Sequence, residues 1–341
     1  MKPKVYITRR IPEPILTMIE SQCEVRMWRE EEIAVPREVL LREIEDIDGL
    51  YCMLTDIIDR SMLVNAAKLK VISNMAVGFN NIDIEAATQR GIMVTNTPGV
   101  LTETTADLTF ALLMAAARRV VEASDYLRQG KWLTWSPMLL TGQDVYGATL
   151  GIIGMGRIGE AVAKRARGFD MNILYHNRSR NPQAEKDLGV TYEEKEVLLR
   201  KSDFICVLVP YASETANLIG ENELALMKKT AVLVNTSRGG IVDETALYNA
   251  LVQGTIWAAG LDVFESEPVL KDNPLLTLPN VVALPHIGSA SVRTRSEMAR
   301  IAARNLCQAL TCGIPQHLVN PGAFEVQRCK RFPTSCETFL N

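Results

Sequence analysis

The chain has 341 residues, enough for two domains of ordinary size. It is 47% hydrophobic and 23% charged, a globular mixture, and its net charge of −3 with no basic block argues against nucleic acid or an anionic membrane surface as a partner. No apolar run reaches the roughly 18 residues that a membrane span needs. None of the seven cysteines forms a C-x-x-C pair, so a reduced, cytoplasmic protein with no metal site is expected. The opening MKPKVYITRR runs straight into a strand pattern without an h-region, so no secretory signal is expected.

Strands and helices alternate from the start. Residues 5–8 read as a strand, 12–21 as a helix with proline in its first turn, 36–44 as a helix and 48–54 as a strand. Ser61 is the expected N-cap of a short helix to residue 67. A strand over 69–75, a loop AVGFNNID, a helix over 82–90 and a strand over 92–95 complete a βα repeat. Such a repeat predicts a parallel doubly wound sheet. Pro98 and Gly99 end it. A single helix, apolar nearly all round, is expected from 101 to about 127, crossing between domains or packing in a subunit interface. Residues 130–147, with Trp132, Trp135 and Pro137, read as an extended arm.

A second βα series begins at 149. Its strands are expected at 149–153, 171–176, 203–209, 231–235, 258–263 and 281–284, and its helices at 157–167, 193–200, 222–227 and 244–253. A last helix over 291–312 returns to the first domain, so the chain crosses near Gly99 and near Ser291. The expected fold is α/β, with two doubly wound parallel-sheet domains. Residues 1–100 plus 291–320 form one domain, 101–290 the other, and 321–341 a mobile tail that carries Cys329 and Cys336. Cys52 and Cys206, in apolar strand-like runs, read as core residues.

The second series opens on LGIIGMGRIGEAV. Gly154, Gly156 and Gly159 stand at G-x-G-x-x-G spacing between a short apolar strand and a helical pattern. The first glycine suits a tight turn, the second a close backbone approach to phosphate, and the third helix–strand packing, while the helix N-terminus faces the negative charge. Three glycines alone are a weak signal, and it is the flanking strand and helix that favour dinucleotide binding.

Only three histidines are present. His317 reads as structural, and His176 ends a strand where ribose contacts occur. His286, in LPHIGSAS, lies just past a strand end, the edge at which open α/β sheets bind ligands. The same edge receives Arg238 from NTSRGGIVD, a planar fork suited to a carboxylate, and Asp262, Glu265 and Glu267 from LDVFESEP. Three consecutive strand ends thus offer an arginine, a glutamate and a histidine, although each carboxylate taken singly also reads as a solvated loop charge and Arg238 as a surface cation.

The motifs VGFNNIDIEAA, LGIIGMGRIG, NTSRGGIVDE, AAGLDVFESEP and LPHIGSA, in this order, resemble the D-isomer-specific 2-hydroxyacid dehydrogenase family, and most of all its glyoxylate/hydroxypyruvate reductases. The resemblance runs from Met1 to about Pro321. It implies a flavodoxin-like substrate-binding (catalytic) domain and a Rossmann dinucleotide-binding domain with a cleft between them. It implies reduction of a small 2-oxo acid (glyoxylate, hydroxypyruvate) to the D-2-hydroxy acid (glycolate, D-glycerate). Arg238 would hold the carboxylate and carbonyl, and His286 would protonate the carbonyl oxygen as hydride arrives. Glu267 would orient the imidazole and favour its charged form. The dinucleotide would meet Gly154, Met155, Gly156, Arg157, Ile158, Gly159, Val209, Pro210, Thr236, Ser237, His286 and Gly288, with Asp262 on the nicotinamide carboxamide. The substrate would meet the N–H groups of Val77 and Gly78, with Leu54, Met75 and Trp135 as pocket walls. A homodimer is expected, its Trp-rich arm bringing Trp135 near the partner's pocket.

Cofactor choice is read from the end of the second dinucleotide strand. An NAD enzyme places Asp or Glu there. Here the position is the neutral Asn177, followed by Arg178, Ser179 and Arg180, which offers cations and donors to a 2′-phosphate. NADP(H) is therefore expected to be preferred, with NAD(H) possible. Three other functions fit the motifs: a 2-ketogluconate-type reductase, a phosphoglycerate dehydrogenase, for which the chain ends early, and a dinucleotide-sensing binding protein of the corepressor type.

Overall fold

The computed structural model describes residues 1–311 and 313–331. In chain order its elements are β1 (Lys4–Ile7), α1 (Glu13–Glu20), β2 (Glu24–Met27), α2 (Arg37–Glu43), β3 (Gly49–Cys52), α3 (Arg60–Val64), β4 (Val71–Asn74), α4 (Ile84–Gln89), β5 (Met93–Thr95), α5 (Thr102–Ala117) and α6 (Val120–Arg128). There follow β6 (Thr149–Ile153), α7 (Arg157–Arg167), β7 (Asn172–His176), α8 (Pro182–Leu188), β8 (Thr191–Tyr192), α9 (Lys195–Lys201), β9 (Phe204–Val207) and α10 (Glu221–Leu226). The chain ends with β10 (Val232–Asn235), α11 (Glu244–Val252), β11 (Ala258–Leu261), β12 (Val281–Ala283), α12 (Val292–Leu310) and α13 (Gly322–Arg331).

Two compact units result. Met1–Leu101 and the described residues from Ser291 onward form unit 1, and Thr102–Ala290 form unit 2. Unit 1 carries a five-stranded sheet in the order β2-β1-β3-β4-β5, and unit 2 a seven-stranded sheet in the order β12-β11-β10-β9-β6-β7-β8. Every pair is parallel. These are the flavodoxin-like and the dinucleotide-fold strand orders, whose ligand edges lie at the point where the order reverses. In unit 2 that point lies between β6 and β9, and the glycine turn leaves β6 there.

In unit 1, α12 crosses the sheet, and its backbone carbonyls at Ala299 and Ala302 accept from the Tyr51 hydroxyl (3.2 Å) and the Ser73 hydroxyl (2.7 Å). In unit 2, α5 lies on β10 and β11. Gly260 makes this possible, since a Cβ there would come 2.6 Å from Leu112 Cγ. Cys52 and Cys206 are both buried, as their strand runs imply.

Four local readings are corrected. The single helix expected from 101 to 127 is two, because Arg119 turns left-handed (φ +52). The arm causes the break: Gln143 N donates to the Ala117 carbonyl (2.9 Å), closing the end of α5, and a Cβ at Gly142 would collide with that same carbonyl. The cap of α3 is Asp59, whose carboxylate accepts from Met62 N (2.9 Å), while Ser61 lies inside the helix and donates to Asp59 (2.6 Å). The strands β2 and β8 and the helix α8 were not legible, being short and polar pieces at a sheet edge. Finally, order does not stop at Gly322. Asn320 accepts from Val94 N (2.7 Å) and donates to the Ile92 carbonyl (3.0 Å), fastening the chain to the β5 edge. The helix α13 follows, with Ala323 fully buried. The proposed Cys329–Cys336 pair lies outside the residues whose side chains are described.

Candidate active site

The glycine turn of unit 2 is built by close approach. Gly154 (φ +107) donates from N to the His176 carbonyl (3.0 Å), and a Cβ on it would lie 2.7 Å from the Leu208 carbonyl carbon and 2.8 Å from Val209 N. Val209 is thereby set against the turn, with the exposed Pro210 beside it. Gly159 faces the Gly154 carbonyl so closely that any side chain would collide. Gly156, the N-cap residue of α7, is different: a Cβ on it would meet nothing within 4 Å. That open space at a helix N-terminus, with Arg157 exposed beside it, is what a pyrophosphate requires. Ile158 is half-buried in the first turn of α7. Met155 is 2% exposed and its N–H is taken by the Asn177 side chain (2.7 Å), so it supports the turn from inside.

The segment after β7 is anchored at three points. Asn177 holds Met155. Arg180 makes a two-pronged pair with Glu185 (3.1 and 2.7 Å). Asn181 caps α8 through Ala184 N (3.1 Å) and donates to Glu160 (3.0 Å). Arg178 and Ser179 stand exposed between these anchors. His176 points its Nδ1 at the Glu193 carbonyl (3.0 Å), a bond that holds β7 to the segment after β8.

At the ends of β10, β11 and β12 three loops converge. Asn235, the last residue of β10, accepts from Ser237 N (3.1 Å) and Ser237 Oγ (2.8 Å) and donates to the Arg238 carbonyl (3.0 Å). This fixes the Arg238 turn. Sequence reading passed over Asn235, although an asparagine closing the strand AVLVN was the available signal. Thr236 shares a 2.6 Å bond with Thr109 of α5. Gly239 lies against the next loop, for a Cβ would strike the Phe264 carbonyl. The Arg238 guanidinium is largely buried, which pushes its pKa below the ordinary range against the opposing pull of Glu267.

Glu267 meets His286. Its Oε2 lies 2.7 Å from His286 Nδ1, and its Oε1 accepts from Phe264 N (3.1 Å). Burial raises the Glu267 carboxyl, but the His286 bond and charge, the Phe264 N–H and Arg238 outweigh it, so the net shift is downward. His286 itself is held at φ +53, a costly backbone for a non-glycine residue. Asp262 supplies the restraint. Fully buried, it accepts from Ile287 N and Gly288 N, both at 2.7 Å. Burial raises its carboxyl despite those bonds and His286. Glu265, the third carboxylate of this run, turns instead to Glu244 N (3.2 Å). Among the described residues no group of side chains is arranged to hold a metal.

Unit 1 has its own built edge. Asn96 donates to the Val77 carbonyl (2.8 Å) and Asn74 to the Gly78 carbonyl (3.0 Å). Asn81 accepts from Asn74 (3.1 Å) and donates to the Met53 and Asp56 carbonyls (3.2 and 3.0 Å), linking this loop to the one after β3. With both carbonyls tied down, the N–H groups of Val77 and Gly78 have no partner among the described residues. Buried Asp56 accepts from Met53 N (2.8 Å) and the Thr8 hydroxyl and sits 3.7 Å from Arg9. Leu54 and Met75 lie half-buried at this edge. The asparagines were missed; FNNID held the signal for one of them. Trp135 is 76% exposed in the single chain, and His317 holds the Asn96 N–H through its carbonyl (3.3 Å).

Comparison with known proteins identifies the family. The family model described as "D-isomer specific 2-hydroxyacid dehydrogenase, NAD binding domain" matches residues 110–288. A glyoxylate reductase of Korarchaeum cryptofilum is 54% identical over 96% of this chain and 98% of its own. A crystal structure from Thermus thermophilus is 45% identical, with a TM-score of 0.87 over 93% of this chain and 99% of that one. An NADPH-dependent glyoxylate/hydroxypyruvate reductase of Sinorhizobium meliloti, solved with NADP and malonate, is 33% identical, with a TM-score of 0.82 over 94% and 97%. The chain is a member of the D-isomer specific 2-hydroxyacid dehydrogenase family.

Proposed function

We propose that the protein reduces glyoxylate and hydroxypyruvate to glycolate and D-glycerate, with NADPH preferred and NADH accepted. The observation that carries this reading is the 2.7 Å pair of Glu267 and His286 on the same strand-end edge as the largely buried Arg238. Unit 2 would hold the dinucleotide and unit 1 would serve as the substrate-binding domain. The open space at Gly156, the N-terminus of α7 and the exposed Arg178 and Ser179 fit a dinucleotide with a 2′-phosphate. The nicotinamide supplies the hydride when it is bound.

The protein's own groups do the rest. Arg238 binds the carboxylate and carbonyl oxygen of the acid, and the N–H groups of Val77 and Gly78 hydrogen-bond the carboxylate. Adding hydride to a carbonyl leaves an alkoxide, so a proton is needed. Glu267 holds Nδ1 of His286, which leaves Nε2 to carry the transferable proton. Asp262 keeps the histidine loop in place. Leu54 and Met75 would form apolar wall.

The test is turnover with a panel of 2-oxo acids and each cofactor. Rapid reduction of glyoxylate or hydroxypyruvate, with kcat/KM higher for NADPH, is expected. Failure to turn over any 2-oxo acid overturns the enzyme reading and leaves a dinucleotide-sensing binding protein. A preference for NADH overturns the cofactor reading alone.

A further inference from the structure

The run Asn177–Asn181 contains two arginines that look equivalent in sequence and are not equivalent in the fold. Arg178 is exposed and forms no ion pair among the described residues. Arg180 is fully engaged: its Nε and Nη2 reach both oxygens of Glu185, and its guanidinium lies 5.6 Å from the centre of the Tyr192 ring. Glu185 Oε1 also accepts from the Tyr175 hydroxyl (2.7 Å), which in turn accepts from Asn181 N (2.7 Å). The phenol of a buried strand residue, a helix carboxylate and an arginine thus close a ring around the segment that carries Arg178 and Ser179. An isolated surface ion pair is worth little, but this one is two-pronged, stacked and continued into the buried Tyr175.

We propose that Arg180 and Glu185 are positioning residues for cofactor selection. They brace the loop so that Arg178 and Ser179 face a 2′-phosphate, and Arg180 does not itself bind that phosphate. The proposal rests on the NADPH reading above and deepens it.

Binding of 2′,5′-ADP and of 5′-AMP, measured by calorimetry, separates the roles without turnover. The parent should bind 2′,5′-ADP more tightly. Arg178→Ala should weaken 2′,5′-ADP by about tenfold to a hundredfold, the loss of a charged hydrogen bond, and leave 5′-AMP unchanged. Arg180→Ala and Glu185→Ala should each weaken 2′,5′-ADP by roughly threefold, in the same direction. The charge-swapped double variant Arg180→Glu/Glu185→Arg should recover most of that loss, and in catalysis KM for NADPH should follow while kcat stays near the parent value. Thermal melting of each variant confirms that it is folded. If Glu185→Ala tightens 2′,5′-ADP, the freed Arg180 is a ligand and the proposal falls, as it does if the swap recovers nothing. A parent that does not discriminate between the two nucleotides, or an Arg178→Ala variant that binds normally, overturns the NADPH reading and the bracing role with it.

Discussion

Arg238 and Glu267 are set by geometry as much as by charge. Arg238 sits in a backbone turn fixed by Asn235, and its Nη1 donates to the Ser237 carbonyl (2.6 Å). Arg238→Lys keeps the charge but offers a point cation in place of a planar fork. The loss of a charged hydrogen bond is worth about 1.5–3 kcal/mol, and kcat/KM for glyoxylate should fall roughly tenfold to over a hundredfold. A variant with near-normal kcat/KM would remove Arg238 from the site. Glu267 is held ionised below the usual carboxylate range, largely by His286. Its Oε2 also holds His286 Nδ1 at 2.7 Å, so Glu267→Gln should loosen the imidazole and lower kcat/KM for glyoxylate by about tenfold or more. An unchanged kcat/KM rejects the pairing. The same shift has a stability consequence of fixed sign. A carboxyl whose folded pKa is depressed contributes stability above its unfolded value, near 4.5, and loses it as pH falls through the folded value. Acid melting curves of the parent should therefore carry a loss that the Gln variant lacks.

The turn between β6 and α7 separates fold from ligand by glycine position. Gly159 packs against the Gly154 carbonyl and Gly156 faces open space. Gly159→Ala should destabilise unit 2 by about 1–3 kcal/mol through overpacking, visible as a lower Tm without any ligand. Gly156→Ala should melt near the parent value and still lose dinucleotide affinity, because its methyl group would occupy the space a phosphate approaches. Equal melting losses in the two variants would contradict this division. The break between α5 and α6 belongs to the same scale. Residues 101–127 contain no proline or glycine after Leu101, so helical periodicity runs through Arg119 without a stop signal. The stop comes from Gln143 and Gly142, more than twenty residues onward, which close the α5 carbonyl end.

For the whole molecule, one stretch is rich in exposed apolar side chains. Val120, Leu127, Trp132, Leu133, Trp135 and Met138 are all more than half exposed in the single chain. Exposed apolar side chains concentrated in this way favour association, and we expect a homodimer. Sedimentation at micromolar concentration should give twice the 37.8 kDa of one chain, and a monomer there ends the idea. No helix among the described residues is long and apolar enough to cross a membrane.

What the sequence by itself determined is whatever a window of ten to twenty residues encodes. The βα order, the helix at Arg157–Arg167, the glycine turn and the three strand ends with Arg238, Glu267 and His286 are all written in periodicity and short motifs. Only the tertiary structure decided how the polar groups are committed. Asn177 and Arg180 read as ligand candidates on the page, yet the fold turns one to Met155 and the other to Glu185. Asn74, Asn81 and Asn96 carried no distinguishing pattern, yet Asn96 and Asn74 pin the Val77 and Gly78 carbonyls and Asn81 holds Asn74. The residues 322–331, aperiodic in sequence, become helical behind an asparagine fastened to β5. The reason is common to all of these. A hydrogen bond between residues distant in sequence costs nothing in local propensity, so local pattern cannot register it, and whether a donor is free or taken is settled only when the chain has folded.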